Sequence, residues 1–145
     1  MVKQLSVFLE NKPGTLNKAL LMLKNNDVNI VAISLADTSE FGLARLIVDD
    51  LEKGRSAIRE GGYTSTLADV IAVRLAQRVG YLQEILDKLS AAGINVEYMY
   101  TASTGPDGAD LIMKTSDPAK AEEVLAEAKA EVLKQDDLRK LGGDN

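Results

Sequence analysis

The chain has 145 residues, 46% of them hydrophobic, and a formal net charge of −5 with Lys and Arg scattered along it. That length suits one medium domain or two small ones, and an acidic chain without clustered positive charge is a poor nucleic-acid surface. Cys and His are both absent, which excludes disulfides, zinc held by thiolate or imidazole, and Ser-His-Asp or Cys-His catalysis. No EF-hand or P-loop spacing occurs, so neither metal nor cofactor is expected. With no long apolar run and no charged-then-apolar leader, a cytoplasmic protein without a membrane span is expected.

Leu5, Val7 and Leu9 alternate with Ser6 and Phe8, the period of a strand covered on one face. From Leu16 the period becomes helical, with Leu16, Ala19, Leu20 and Leu23 on one face. Between them, Glu10-Asn11-Lys12-Pro13-Gly14 leads to a helix N-terminus, where unpaired N–H groups and the positive dipole end favour an anion such as a carboxylate. Gly14 either permits close approach of a ligand to the backbone or merely makes a tight turn before a helix started by Pro13. Val28 to Ala36 (VNIVAISLA) predicts a second strand with little solvent on either face. Asp37 to Phe41 turns the chain into a third strand over Gly42 to Val48. Asp49-Asp50 caps a helix through Glu60 that Gly61-Gly62 stops, and Tyr63 to Leu67 is a fourth strand.

At Val70 the pattern restarts. An offset of 66 positions, the difference between Gly14 and Gly80, places Val7 on Val73, Leu23 on Leu89, Asn29 on Asn95 and Gly42 on Gly108 without a gap. Leu82, Ile85, Leu86 and Leu89 copy the first helix face. Ile94 to Ala102 copies the second strand and Ala109 to Lys114 the third. Ser116-Asp117-Pro118 starts a helix whose inner face is Ala121, Val124, Leu125 and Ala128. After it, a strand near Ala130 to Leu133 and a helical turn at Asp136 to Leu141 are expected, against one uninterrupted helix as the competing reading. Each copy reads βαββαβ, an α+β ferredoxin-like plan, with boundaries at 1–68 and 69–145.

In that plan the second strand is a sheet edge, here long, apolar and free of Pro, which native proteins normally cover. Pairing Val28–Ala36 with Ile94–Ala102 gives a continuous antiparallel eight-stranded sheet with helices on one face. It also sets each glycine loop against the start of the other copy's second strand. The expected ligand contacts are Asn11, Lys12, Pro13, Gly14, Thr15 and Leu16 with Asn95, Val96, Glu97, Tyr98 and Met99. The second set is Gln77, Val79, Gly80, Tyr81 and Leu82 with Asn29, Ile30 and Val31. Helix N–H groups supply donors for a carboxylate, and strand carbonyls with an Asn amide oxygen supply acceptors for an ammonium. Asn29 and Asn95 have the alternative role of closing the turn into the strand. Tyr98 and Tyr100 read as packing residues, and Arg45 and Arg74 as surface or sheet-face residues.

LSVFLENKPGTL with VNI, and IAVRLAQRVGYL with INV, resemble the ACT-domain family, and more narrowly its small tandem pairs. The resemblance implies a ferredoxin-like fold that binds a free amino acid between paired domains and passes the signal on. In serine-regulated members, contacting asparagines match Asn11, Asn29 and Asn95. The loop position is Gln77 in the second copy, and a contacting histidine falls at Leu9 and Leu75, so serine itself does not follow. The expectation is a non-enzymatic, allosteric regulatory protein, a homodimer with a metabolic enzyme as partner. The alternatives are a ligand-independent interaction module, whose open sheet face would carry Phe8, Ala72 and Arg74, and an enzyme working through Tyr and carboxylates, for which no motif is present.

Overall fold

The computed structural model describes residues 1–37, 41–103 and 109–138. In chain order these form β1 (Val2–Glu10), α1 (Thr15–Asn25), β2 (Ile30–Asp37), β3 (Phe41–Val48), α2 (Leu51–Glu60), β4 (Thr64–Arg74), α3 (Tyr81–Ala91), β5 (Val96–Ser103), β6 (Ala109–Thr115), α4 (Pro118–Glu127) and β7 (Val132–Leu133). The chain divides into two compact units, one built on Lys3–Ala68 with Leu138, the other on Asp69–Asp137 with Met1–Val2.

The first unit is an α+β layer pair. Its strand order is β2-β3-β1-β4, with antiparallel pairs Leu5↔Leu46 and Leu9↔Gly42 between β1 and β3 and Leu35↔Ala44 between β2 and β3. Leu5, Val7 and Leu9 share a sheet face and pack with Ala19, Leu23, Ala57 and Ile58 of the two helices. In the second unit the order is β5-β6-β4-β7, with Val73↔Leu111, Met99↔Met113 and Val73↔Val132. Ile71, Val73, Ile85, Leu89, Ala121 and Leu125 form its core. Both units therefore have the split βαβ arrangement.

Several details depart from expectation. The described residues hold seven strands, not the eight of the expected sheet. Among them β2 ladders with β3 and β5 with β6, so the expected ladder between Val28–Ala36 and Ile94–Ala102 is not formed. The expected fourth strand begins at Thr64, one residue later than Tyr63. Thr64–Leu67 and the stretch from Val70 are one strand, β4, because Ala68-Asp69 contains no Gly or Pro to break it. The ungapped alignment of the copies fails at the hairpin. Val7 pairs with Ala44 but Val73 with Leu111, so the second copy carries one more residue and Gly42 corresponds to Ala109. A hairpin loop absorbs such an insertion at small cost. Residues 38–40 and Gly108 lie outside the described residues. β2 is not screened on both faces, since Ile33 is 42% and Leu35 56% exposed, as an edge strand allows. Ala128 is exposed beyond the end of α4. The face opposite the helices is not the open mixed surface expected at Ala72 and Arg74. Ala72 is fully buried and the Arg74 Nε–H donates to Asp110 Oδ1 at 2.7 Å.

The chain beyond α4 settles as β7 and a helical turn beginning at Gln135; residues 139–141 of the expected turn lie outside the described residues. The stop needs no glycine. The Ala130 N–H donates to the Leu125 carbonyl at 3.0 Å while Lys129 takes φ 63°, the left-handed helix end usually given to glycine. The same six-residue closure ends α1 with Val28 N–H to Leu23 O, α2 with Tyr63 to Ile58 and α3 with Ile94 to Leu89. Its left-handed residues are Asp27, Gly62 and Gly93. Because a lysine at positive φ carries a Cβ penalty, Lys129→Gly is expected to raise stability by about 1 kcal/mol in denaturant unfolding. A loss of stability would mean the lysine side chain contributes more there than its backbone costs.

Candidate functional site

The two glycine loops are built alike. β1 ends at Glu10, the Lys12 N–H donates to the Glu10 carbonyl at 2.9 Å, and Gly14 takes φ 87° as the N-cap of α1. In the second unit the Arg78 N–H donates to the Ala76 carbonyl at 2.9 Å, and Gly80 takes φ 85° as the N-cap of α3. A Cβ at either glycine would meet nothing within 4 Å. Glycine is therefore required for its backbone conformation, with open space in front of it. Pro13 precedes the cap and does not start the helix.

Neither α1 nor α3 has a side-chain cap hydrogen bond. The other two helices do. Asp50 Oδ1 accepts from the Lys53 N–H at 3.2 Å and Asp117 Oδ1 from the Lys120 N–H at 3.1 Å. The helices that follow the glycine loops thus lack a capping carboxylate. α1 has no acidic residue in its first turn either, so a carboxylate from outside would complement its positive end, whereas α3 already carries Glu84 there.

The side chains around the loops differ between the copies. Lys12 Nζ lies 2.6 Å from Glu10 Oε2; the hydrogen bond holds the Glu10 carboxyl below its ordinary range and raises Lys12. Arg78 donates twice to Glu84, at 2.8 and 2.6 Å, and its guanidinium sits 4.9 Å from the centre of the Tyr81 ring. That forked pair lowers the Glu84 carboxyl and raises Arg78. Both pairs are solvent-exposed, so they orient the loops more than they stabilise the fold.

Asn11, Lys12 and Leu16 line a cleft of about 180 Å³ with Leu9, Glu10, Leu35, Ala36 and Gly42. Pro13 and Thr15 open on a different cleft, on the Phe8 and Phe41 side. Gln77, Val79, Gly80, Tyr81 and Leu82 line a cleft of about 540 Å³ with Leu75, Ala76, Arg78 and Gln83. Asn29, Ile30 and Val31 are elsewhere in their unit. Ile30 pairs with Val48, whereas the glycine loop adjoins Gly42, so they stand at opposite ends of the same strands. Asn95 to Met99 are placed likewise, with Val96 opposite Thr115. The Asn29 N–H donates to Asp49 Oδ1 at 2.9 Å and its carbonyl accepts from the Asp49 N–H. Asn95 exchanges the same pair of bonds with Ser116. These backbone bonds tie the start of each edge strand to the residue that follows β3 or β6. The turn into β2 is closed instead by the Asp27 and Val28 N–H groups on the Lys24 and Leu23 carbonyls.

A β-bulge follows at the same place in each copy, between Ile30 and Ala32 and between Val96 and Tyr98. It gives Val31 and Glu97 to the edge without a ladder partner. Sequence reasoning missed the bulges, the lining residues Glu10, Leu35, Ala36 and Gly42, and the Arg78–Glu84 fork. An acidic residue in the first turn of an uncapped helix, with a cation just before its glycine, was the available signal for the fork.

The family description "ACT domain pair" matches residues 1–142, and no curated protein matches the chain. Among solved structures, the chain is similar to protein BT0572 from Bacteroides thetaiotaomicron, with 34% identity, 96% of each chain covered and a TM-score of 0.90. The fold is shared with the ligand-free regulatory subunit of aspartate kinase from Thermus thermophilus, at 17% identity, 88% and 90% coverage and a TM-score of 0.64. It is also shared with that from Thermus flavus, at 19% identity, 87% and 88% coverage and a TM-score of 0.57. Among the described residues no helix is long and apolar enough to cross a membrane. The chain belongs to the ACT family, as a pair of ACT domains within one polypeptide.

Proposed function

We propose that this protein is a non-enzymatic regulator that binds a free amino acid at an interface between ACT domains, with the chain divided at 1–68 and 69–145. The ligand carboxylate sits on the first turn of α1 or α3. The ammonium meets carbonyls at the start of an edge strand, Asn29–Val31 or Asn95–Met99, of the domain paired with it. The observation that carries this reading is the contrast among helix starts. Both helices after a glycine loop lack the capping carboxylate that Asp50 and Asp117 give the other two, and both face open clefts. Of the two, α1, without the first-turn acid that Glu84 gives α3, is the better placed for an incoming carboxylate. The fold similarity to regulatory subunits is the reason for placing the target in a separate metabolic enzyme.

A scan of the twenty amino acids tests it. At about 100 times its dissociation constant a ligand stabilises by roughly 2.7 kcal/mol, or about 5–10 °C for a chain of this size. One or a few amino acids should produce that shift, and a flat response across all twenty removes the proposal. The second reading is an interaction module without a ligand, favoured by Ile33, Leu35 and Met99 standing exposed on edge strands. It predicts a dimer whose mass in solution is unaffected by amino acids.

A further inference from the structure

The first unit has a second cleft on the other side of its glycine loop. It shares Lys12, Pro13 and Thr15 with that loop, but its aromatic walls and Lys18 are unused by the reading above. It measures about 470 Å³, and its walls include Phe8, Phe41 and Tyr63 together with Glu10, Lys12 and Lys18. The chain has only two phenylalanines. Both are in this cleft, 44% and 54% exposed, forgoing the burial that normally favours an aromatic side chain. The register places Glu10 opposite Phe41, and strand alternation puts Phe8 on the same sheet face. Tyr63 packs against the core, which fixes the remaining aromatic wall. Lys12 is neutralised by Glu10 at 2.6 Å, so Lys18 leaves the cleft with one net positive charge.

Flat apolar walls accept a planar ring by stacking or edge contact, and an ammonium at the rim accepts an anion. We infer that this cleft binds an aromatic carboxylate, its ring among Phe8, Phe41 and Tyr63 and its carboxylate toward Lys18. The second copy does not repeat the arrangement, because at the 66-position offset Arg74 stands for Phe8, Ala76 for Glu10 and Glu84 for Lys18. The site therefore belongs to the first copy alone, and it does not depend on the glycine-loop reading.

Calorimetric titration of the full chain with phenylpyruvate, L-phenylalanine and L-leucine tests it, using the wild type, Phe41→Ala and Lys18→Gln, with circular dichroism confirming that the variants fold. At least one aromatic acid should bind about 10-fold more tightly than leucine, and each variant should weaken it by about 10-fold. Preference for phenylpyruvate over phenylalanine identifies an aryl acid, and the reverse an aromatic amino acid. Equal binding of leucine, or unchanged affinity in both variants, overturns the inference while leaving amino-acid binding at the glycine loops standing. Binding of phenylpyruvate with no response to any free amino acid supports the inference and sinks the regulatory reading. Should Phe41→Ala convert a dimer to a monomer without altering binding, the face is a self-association surface and the inference is wrong.

Discussion

Leu23→Ala and Leu89→Ala are each expected to cost about 2.7–5 kcal/mol in denaturant unfolding, the range for a fully buried leucine whose cavity closes only in part. Both side chains are 0% exposed. They occupy the same place in the two copies, one helical turn from the C-terminus, beneath the residue whose N–H closes the helix end. Leu23 packs with Val28, Val48 and Ile58, and Leu89 with Ile94, Met113 and Leu125. Natural domains hold only about 5–15 kcal/mol in reserve, so either change should lower the denaturation midpoint strongly. A loss below about 1 kcal/mol at either site would mean that its core is not packed as described.

Gly14→Val and Gly80→Val should remove ligand binding at their own loops and cost at least 1–2 kcal/mol of stability each, through backbone strain and not collision. The glycines take φ 87° and 85° with nothing within 4 Å of an added Cβ, so bulk is tolerated but a β-branched residue at positive φ is not. Asparagine visits that region with less penalty. Gly14→Asn and Gly80→Asn should accordingly keep most of the stability, and the valine–asparagine difference isolates the conformational requirement. Equal stability of the two variants would contradict it. Unfolding in denaturant and calorimetric titration give the two readouts.

Much of the fold was legible because periodicity and punctuation agreed. Leu16, Ala19, Leu20 and Leu23 marked the inner face of α1, Asp50 and Asp117 marked helix starts, and the recurrence of Gly14 at Gly80 exposed the duplication. What escaped notice lacked a residue that announces it. β4 runs through Ala68-Asp69 because two strand-compatible residues with no Gly or Pro look like a linker only when a boundary is wanted. Lys129 ends α4 in a conformation that sequence assigns to glycine. The bulges at Val31 and Glu97 lie in runs so apolar, or so mixed, that alternation cannot show where it slips. The candidate site divides in the same way. The loops were visible from Pro13-Gly14 and the change of period, and the Arg78–Glu84 fork, six residues apart, had a local signal in the first-turn acid of α3. The aromatic cleft beside the first loop, by contrast, depends on which residues the register and the α2–β4 turn bring together.

The most direct measurement follows backbone amides by NMR while the amino acid with the greatest thermal stabilisation is added to saturation. The account expects the largest shifts at Thr15, Leu16 and Asn17, at Tyr81, Leu82 and Gln83, or at both, with the capped starts of α2 and α4 little changed. Shifts centred on Leu51–Lys53 or Ala119–Ala121 instead, or no amide response to any of the twenty amino acids, would contradict it.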